Sequence, residues 1–186
     1  MVIGAVLATM GGFMATQLEG VLRRRERERN AALLFGEILS AVELVTRVTD
    51  ETRGRGDPYG RLTIGLLRAV RRETDTYDRN REQLYDLRNA KVRAQIHGLM
   101  VRITIALEGI ADATSHIASV EAELNALKPD DPARPELASQ LATLAEGRQA
   151  TFNFMMEAAG QIKPIVAALR PLAKQIFDDH EAILRG

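Results

Sequence analysis

The chain opens with an uncharged apolar run that leads directly into a cluster of arginines. Residues 1–18 contain no Asp, Glu, Lys or Arg, and the first charged side chain is Glu19. Eighteen helical residues span about 27 Å, close to the hydrocarbon core of a bilayer, which is about 30 Å thick. The run is therefore just long enough to cross a membrane, and we predict that residues 1–22 form a transmembrane anchor.

Charge is distributed unequally on the two sides of this run. Five arginines follow it, interrupted by only two glutamates: Arg23, Arg24, Arg25, Arg27 and Arg29. Because positive charge marks the cytoplasmic side of a span, the pattern predicts that the amino terminus lies outside and residues 23–186 lie in the cytoplasm. The arginines would fix this topology or bind the headgroups of anionic membrane lipids.

Three other interpretations of the apolar run are open. A cleaved signal peptide normally has its positive charges before the apolar stretch, which is the opposite order. A helix lying flat on the membrane would have a polar face, and the run has none. A buried helix of a soluble bundle is compatible with the many glycines and alanines, which make the run less hydrophobic than a leucine-rich span.

Small residues recur at every fourth position of the run. On a helix they form one stripe along which another helix can approach closely. The stripe consists of Gly4, Ala8, Gly12, Thr16 and Gly20. We predict that it packs against a second copy of the chain or against another membrane protein.

The remainder of the chain has a helical pattern throughout. Val, Ile and Thr form no alternating runs bounded by turns, so no strand is predicted. Apolar residues repeat every three or four positions, and glycine- and proline-rich breaks occur at residues 53–60 and 128–135. We predict an all-α fold in which the transmembrane helix continues into an antiparallel, coiled-coil-like helical bundle. The helices are expected at about residues 23–52, 61–75, 88–128 and 135–185, with a possible break at 163–171.

Two segments of this bundle have a distinctive pattern. The third helix keeps a three-four spacing over more than four heptads, which is typical of a left-handed coiled-coil seam. We predict a helix–helix interface formed by Ile96, Leu99, Ile103, Ile110, Ile117, Val120 and Leu124. Before it, residues 74–87 are predicted to be a polar joint whose aromatic and leucine side chains dock on the bundle. In the fourth helix Pro164 and Pro171 each remove an internal hydrogen bond, so one bent helix or two helices are expected.

Composition offers little support for catalysis or nucleic-acid binding. The chain has 25 basic and 25 acidic residues and no cysteine. A charge-balanced chain has no bulk field that attracts nucleic acid, and without cysteine there is no thiolate chemistry. The three histidines lack the spacing of metal ligands. We therefore expect no enzymatic activity, no metal or other cofactor, no small-molecule substrate and no nucleic-acid partner.

The order of these features resembles a loosely defined group of uncharacterised bacterial inner-membrane proteins. The apolar run, the segment RRRERERN and the joint TYDRNREQLYDL carry the resemblance, the joint through Tyr77, Asn80, Leu84 and Leu87. In those proteins a single span precedes an Arg-rich stretch and a small antiparallel helical domain. The resemblance implies a single-pass protein of the bacterial inner membrane whose C-terminal domain is cytoplasmic, and it implies no particular activity.

These patterns together predict a non-enzymatic scaffold, adaptor or accessory subunit of a membrane assembly. Its partners would be membrane lipid and either a second copy of the chain or another membrane protein. Two alternatives are a membrane-active effector whose spans assemble into a pore, as in holin-like or defence systems, and a soluble bundle in which residues 1–18 belong to the core.

Overall fold

The computed structural model describes the backbone of residues 2–174 and the side chains of residues 17–174. Every regular element in this part of the chain is helical, and it contains no strand. The all-α prediction is therefore confirmed. The α-helices in chain order are α1 Val2–Arg53, α2 Arg61–Asn80, α3 Ala90–Ala126, α4 Arg134–Ala159 and α5 Ile162–Ala173, and a 3₁₀ helix, Arg81–Asp86, lies between α2 and α3.

Helix α1 is uninterrupted, and its two halves have different surroundings. Residues 17–30 are exposed apart from Glu28, which is half-buried. From Ala31 onward one face of the helix enters the core. The buried residues of that face repeat every three or four positions, as expected for an amphipathic helix: Ala31, Ala32, Phe35, Ile38, Leu39 and Val42.

Helix α2 is longer than its sequence predicts. We expected it to end near residue 75, but it continues to Asn80. The reason is that Thr74 and Tyr77 are buried and extend the stripe begun by Leu67 and Val70. The polar residues between them lie on the outer side of the same helix, so the predicted start of the joint is wrong.

The remainder of the predicted joint docks on the bundle. Leu84, in the 3₁₀ helix, is 7% exposed and Leu87 is fully buried, whereas Tyr85 is 83% exposed. The side chain of Asn89 then accepts hydrogen bonds from the backbone N–H groups of Lys91 (3.0 Å) and Val92 (3.2 Å). This is the capping arrangement that satisfies the first free donors of a helix, and it fixes the start of α3.

Helices α3 and α4 form an antiparallel hairpin. Its turn is closed by Arg134, whose guanidinium donates to the carbonyl oxygens of Leu124 (2.9 Å) and Leu127 (3.2 Å). These are among the last carbonyls of α3, which have no partner within the helix. Pro135 occupies the first turn of α4, where a missing N–H group costs nothing.

A break separates α4 from α5, as the two-helix alternative requires. It lies at residues 160–161, just before the range predicted from the prolines. Pro164 falls in the first turn of α5, where its backbone nitrogen would have no helical partner in any case. Pro171 lies inside α5, which ends two residues later. Residues 175–185 of the predicted fourth helix lie outside the described part of the chain.

Part of α1 projects from one end of the bundle, and the α3–α4 hairpin projects from the other. At one end Glu28 of α1 accepts a hydrogen bond from the backbone N–H of Arg88, just before α3 (3.0 Å). At the other end Arg53 of α1 is hydrogen-bonded to Gln149 of α4. Helices α1 and α3 are therefore parallel. The exposed residues 17–30 extend beyond one end, and the α3–α4 hairpin extends beyond the other, where residues 111–151 bury only Ile117 and Val120.

Tyr77 joins three helices in the core. Its ring centroid lies 6.0 Å from that of Phe35 in α1, and its hydroxyl and Nδ1 of His97 in α3 form a hydrogen bond of 2.9 Å. Burial raises the pKa of Tyr77 to about 12, the nearby Asp78 carboxylate acts in the same direction, and Arg81 opposes them. The neutral phenol is thus the form that the folded protein favours.

This environment predicts a pH-dependent contribution of Tyr77 to stability. Since the pKa of Tyr77 is raised above its ordinary value of 10.0, its contribution is complete below pH 10 and is lost as pH rises towards 12. We expect Tyr77→Phe to lower the free energy of unfolding by about 1 kcal/mol at neutral pH and to reduce its decline above pH 10. Urea unfolding at neutral and alkaline pH measures both effects. The exposed Tyr85→Phe is the control, and an unchanged alkaline decline in Tyr77→Phe would contradict the assignment.

Candidate membrane-facing site on the first helix

The arginine cluster predicted from the sequence lies on the projecting part of α1. All five arginines are exposed. A helix turns by about 100° per residue, so Arg23 and Arg27 lie on nearly the opposite side of α1 from Arg25 and Arg29, with Arg24 between the two pairs. Arg23, Arg24, Arg25, Arg27 and Arg29 therefore surround the helix, and we call them the arginine collar.

Only part of the collar is engaged by acidic side chains. Arg23 pairs with Glu19 one turn earlier, and Arg27 approaches Asp86 at 3.9 Å. Exposed pairs of this kind contribute little to stability. The other three arginines of the collar form no ion pair within the part of the chain whose side chains are described. Their guanidinium groups are free to bind phosphate or carboxylate oxygens, which they match in a two-pronged geometry.

One contact anchors the base of the projecting helix to the bundle. The carboxylate of Glu28 accepts the backbone N–H of Arg88 and also pairs with the Arg88 guanidinium, at 3.4 Å between Nε and Oε2. Glu28 is largely shielded from solvent, with 14% of its side chain exposed. It fixes the direction in which α1 leaves the bundle.

Exposed apolar side chains precede the collar. Leu18 is 62% exposed, Val21 44% and Leu22 55%. They are spaced by three and four residues, so they lie side by side on the helix. Single exposed apolar residues are normal on a protein surface, but these three are adjacent on the helix. Leu18 is the last residue of the uncharged run, and Val21 and Leu22 follow it after Glu19. They lie where the predicted anchor would meet the arginines.

The predicted membrane span falls mainly outside the described side chains. Within the part of the chain that the structure describes, no helix is long and apolar enough to cross a bilayer. The side chains of residues 1–16 lie outside the described part, and with them Gly4, Ala8, Gly12 and Thr16 of the predicted small-residue stripe. The fifth residue of the stripe, Gly20, is exposed. The span and the stripe therefore stay predictions.

The predicted seam of α3 is directed into the chain itself. Six of its residues are buried and Leu124 is half-buried. The seam divides between two surroundings, because Ile96, Leu99, Ile103 and Ile110 belong to the main core. Ile117, Val120 and Leu124 lie further along, in the hairpin that α3 forms with α4. None of the six buried residues offers its side chain to a second protein.

The histidines have separate surroundings. His97 contacts Tyr77, as described above, and His116 is exposed on α3. His180 lies outside the described residues. Among residues 17–174 there is no group of three His, Asp or Glu side chains that could hold a metal ion.

Sequence reasoning missed one polar cluster. The sequence predicts a turn at residues 53–60, and a phosphate loop at its Gly54 and Gly56 is not favoured because no strand precedes it and the lysine of a nucleotide loop is missing. In the structure, Arg53 and Tyr59 of this turn contact Arg148 and Phe152 of α4. The signal in the sequence is a tyrosine and two arginines within one glycine-rich turn. Nothing in the sequence indicates which helix they meet.

The comparisons with known proteins identify no relative. No protein family model matches this chain, and no curated protein or solved structure is significantly similar to it. The resemblance to single-span inner-membrane proteins therefore stays a prediction.

Proposed function

We propose that the chain is a membrane-anchored helical scaffold or adaptor of an assembly in the bacterial inner membrane. One observation carries the proposal: α1 runs without a break from Val2 to Arg53. The same helix would be the anchor over residues 1–22, would meet the lipid headgroups at the collar, and forms a core helix of the bundle from Ala31 onward. A partner bound to the bundle would thus be held at a fixed distance from the bilayer.

The distribution of the collar supports a helix that crosses the membrane. A helix that lies flat on a bilayer needs its cations on one polar face, whereas the collar surrounds α1. For a crossing helix such a ring lies at the headgroups on all sides. Each basic residue near an anionic surface contributes about 1 kcal/mol to membrane attraction. The three arginines without ion pairs would therefore favour placing this end of the span at the anionic cytoplasmic surface.

The seam of α3 bears on how copies of the chain would associate. Because that seam is buried within one chain, the most regular apolar surface of the bundle is not available to bind a second copy. We propose that association takes place inside the bilayer, through the stripe of Gly4, Ala8, Gly12 and Thr16. Helices pack closely in membranes where small residues lie on one face.

Reversing the charge asymmetry tests the proposed orientation. In the test variant the five collar arginines become glutamine and three arginines are inserted after Met1, with a compartment-sensitive reporter fused after Gly186. We expect the reporter to be cytoplasmic in the wild type and mostly periplasmic in the variant, because lysine and arginine near the ends of a span set its orientation. Reporter activity on the two sides of the membrane measures this.

A matched control removes arginines that are remote from the collar. The control residues are three exposed arginines of α2: Arg61, Arg68 and Arg72. They lie on the side of the helix opposite its buried residues. Arg61→Gln, Arg68→Gln and Arg72→Gln together should leave the orientation unchanged. A reporter that stays cytoplasmic in the collar variant would contradict the proposal.

A further inference from the structure

Stacked cations join the turn between α1 and α2 to helix α4. Cζ of Arg53 lies 3.7 Å from the ring centroid of Phe152 and 4.9 Å from that of Tyr59. Cζ of Arg148 lies 3.8 Å from the same Tyr59 centroid. Both guanidinium groups therefore lie against the same tyrosine ring. We call Arg53, Tyr59, Arg148 and Phe152 the arginine–aromatic cluster.

Every hydrogen-bond acceptor found for these two guanidinium groups is neutral. Arg53 donates to the side-chain carbonyl oxygen of Gln149 and to the Tyr59 hydroxyl (3.4 Å). Arg148 donates to the hydroxyl of Thr114 (3.5 Å). Neither arginine forms an ion pair within residues 17–174. The Nε atoms of both arginines are buried and have no hydrogen-bond partner.

Two positive charges thus lie against one tyrosine ring, and neither has an acidic partner within residues 17–174. The nearest acidic residue in the turn, Asp57, accepts a hydrogen bond from the backbone N–H of Tyr59 (3.0 Å) and pairs with neither arginine. Tyr59 is not the missing anion, since burial raises the pKa of its hydroxyl above 10.0 against the opposing effect of Arg53 and Arg148. Unpartnered buried polar groups are uncommon in folded proteins and call for an explanation, and a bound water or ion is one such explanation.

We propose that the arginine–aromatic cluster binds a phosphate-sized oxyanion between the guanidinium groups of Arg53 and Arg148. Planar guanidinium groups held by aromatic rings recognise tetrahedral and carboxylate oxygens in a two-pronged geometry. The start of α2 at Arg61 lies two residues beyond Tyr59, so its free N–H groups add to the local positive potential. The phosphate site goes beyond the scaffold function and does not depend on it, whereas the source of the phosphate, argued next, rests on the membrane position proposed for the collar.

The position of the cluster distinguishes two sources of phosphate. Arg53 lies 24 residues after Arg29, the last residue of the collar, which corresponds to roughly 36 Å along a helix. Headgroups at the collar are too distant to reach the cluster. With the collar at the headgroups, the oxyanion bound there is a soluble one, either inorganic phosphate or a phosphorylated small molecule.

Phosphate binding to the full-length chain in detergent tests the proposal. Equilibrium dialysis with radiolabelled inorganic phosphate at constant ionic strength should give saturable binding of one phosphate per chain. Arg53→Gln and Arg148→Gln should each weaken the affinity at least tenfold. Arg68→Gln and Arg72→Gln, which remove exposed arginines of α2 with no aromatic neighbour, should leave it unchanged.

Circular dichroism of each variant separates lost binding from lost folding. If a glutamine variant unfolds, Arg53→Lys and Arg148→Lys replace it, because lysine keeps the charge but cannot form the planar two-pronged contact. Weaker binding by a folded lysine variant supports the proposal, and unchanged binding overturns it. Binding that is absent from the wild type, or that falls equally in Arg68→Gln, also overturns it.

Discussion

Replacing Phe35 by alanine is expected to lower the free energy of unfolding by about 3–5 kcal/mol. Phe35 has no exposed surface, and its ring lies 6.0 Å from that of Tyr77 where α1 packs on α2. The loss combines the transfer of a large apolar side chain to water with the cavity that it leaves. Domains are commonly stable by only about 5–15 kcal/mol, so the variant should be close to unfolded at 37 °C.

Urea unfolding followed by circular dichroism measures this loss. The matched control is Leu62→Ala in α2, where the leucine side chain is 66% exposed, and we expect its effect to stay within about 0.5 kcal/mol. A Phe35→Ala variant as stable as the wild type would mean that residues 31–42 of α1 are not a core helix. The proposal that one helix serves both anchor and bundle would then fail.

A chain that begins at Arg23 is expected to leave the membrane without losing its fold. Between residues 23 and 30 only Glu28 is partly buried, and the apolar contacts of α1 begin at Ala31. Residues 17–22, the deleted residues whose side chains the structure describes, are all exposed. We therefore expect the deletion to change the free energy of unfolding by less than about 1 kcal/mol. A chain that begins at Ser40 lacks Phe35 and Leu39 as well, and we expect it to be unfolded.

The helical periods were the part of the fold that could be predicted from the sequence. The three-four spacing that includes Ile96 and Ile103 predicts a buried face of α3 whatever the neighbours are, because it depends only on helix geometry. The partner of that face did not follow from the spacing. Whether it meets another part of the chain or a second copy depends on the loop lengths and on where α4 folds back.

Helix boundaries failed where the buried side chains were only partly apolar. Thr74 and Tyr77 did not stand out among the charged residues around them, so the end of α2 was placed too early. The burial of Tyr77 depends on tertiary contacts with Phe35 and His97. The expectation for Pro164 failed for a different reason. From the sequence, this proline is predicted to remove an internal hydrogen bond, but it lies in the first turn of α5, where a proline removes none.

The arginine–aromatic cluster could not be predicted for a related reason. Arg53 and Gln149 are 96 positions apart in the chain, and their contact depends on the register of the α3–α4 hairpin. In that register α3 and α4 approach closely at Gly109, where a Cβ atom would lie only 3.1 Å from Cγ2 of Thr151. The glycine-rich turn was correctly predicted as a turn, but its role in joining α1 to α4 depends on that register.

The most direct test of the account is fractionation of the full-length chain beside the chain that begins at Arg23. Membranes from cells expressing each are washed with high salt and then with alkaline carbonate. The account predicts that the full-length chain resists both washes, while the shortened chain is soluble, helical by circular dichroism and equally stable in urea. Full-length chain in the soluble fraction, or unfolding of the shortened chain, would contradict the claim that α1 joins a membrane anchor to the bundle.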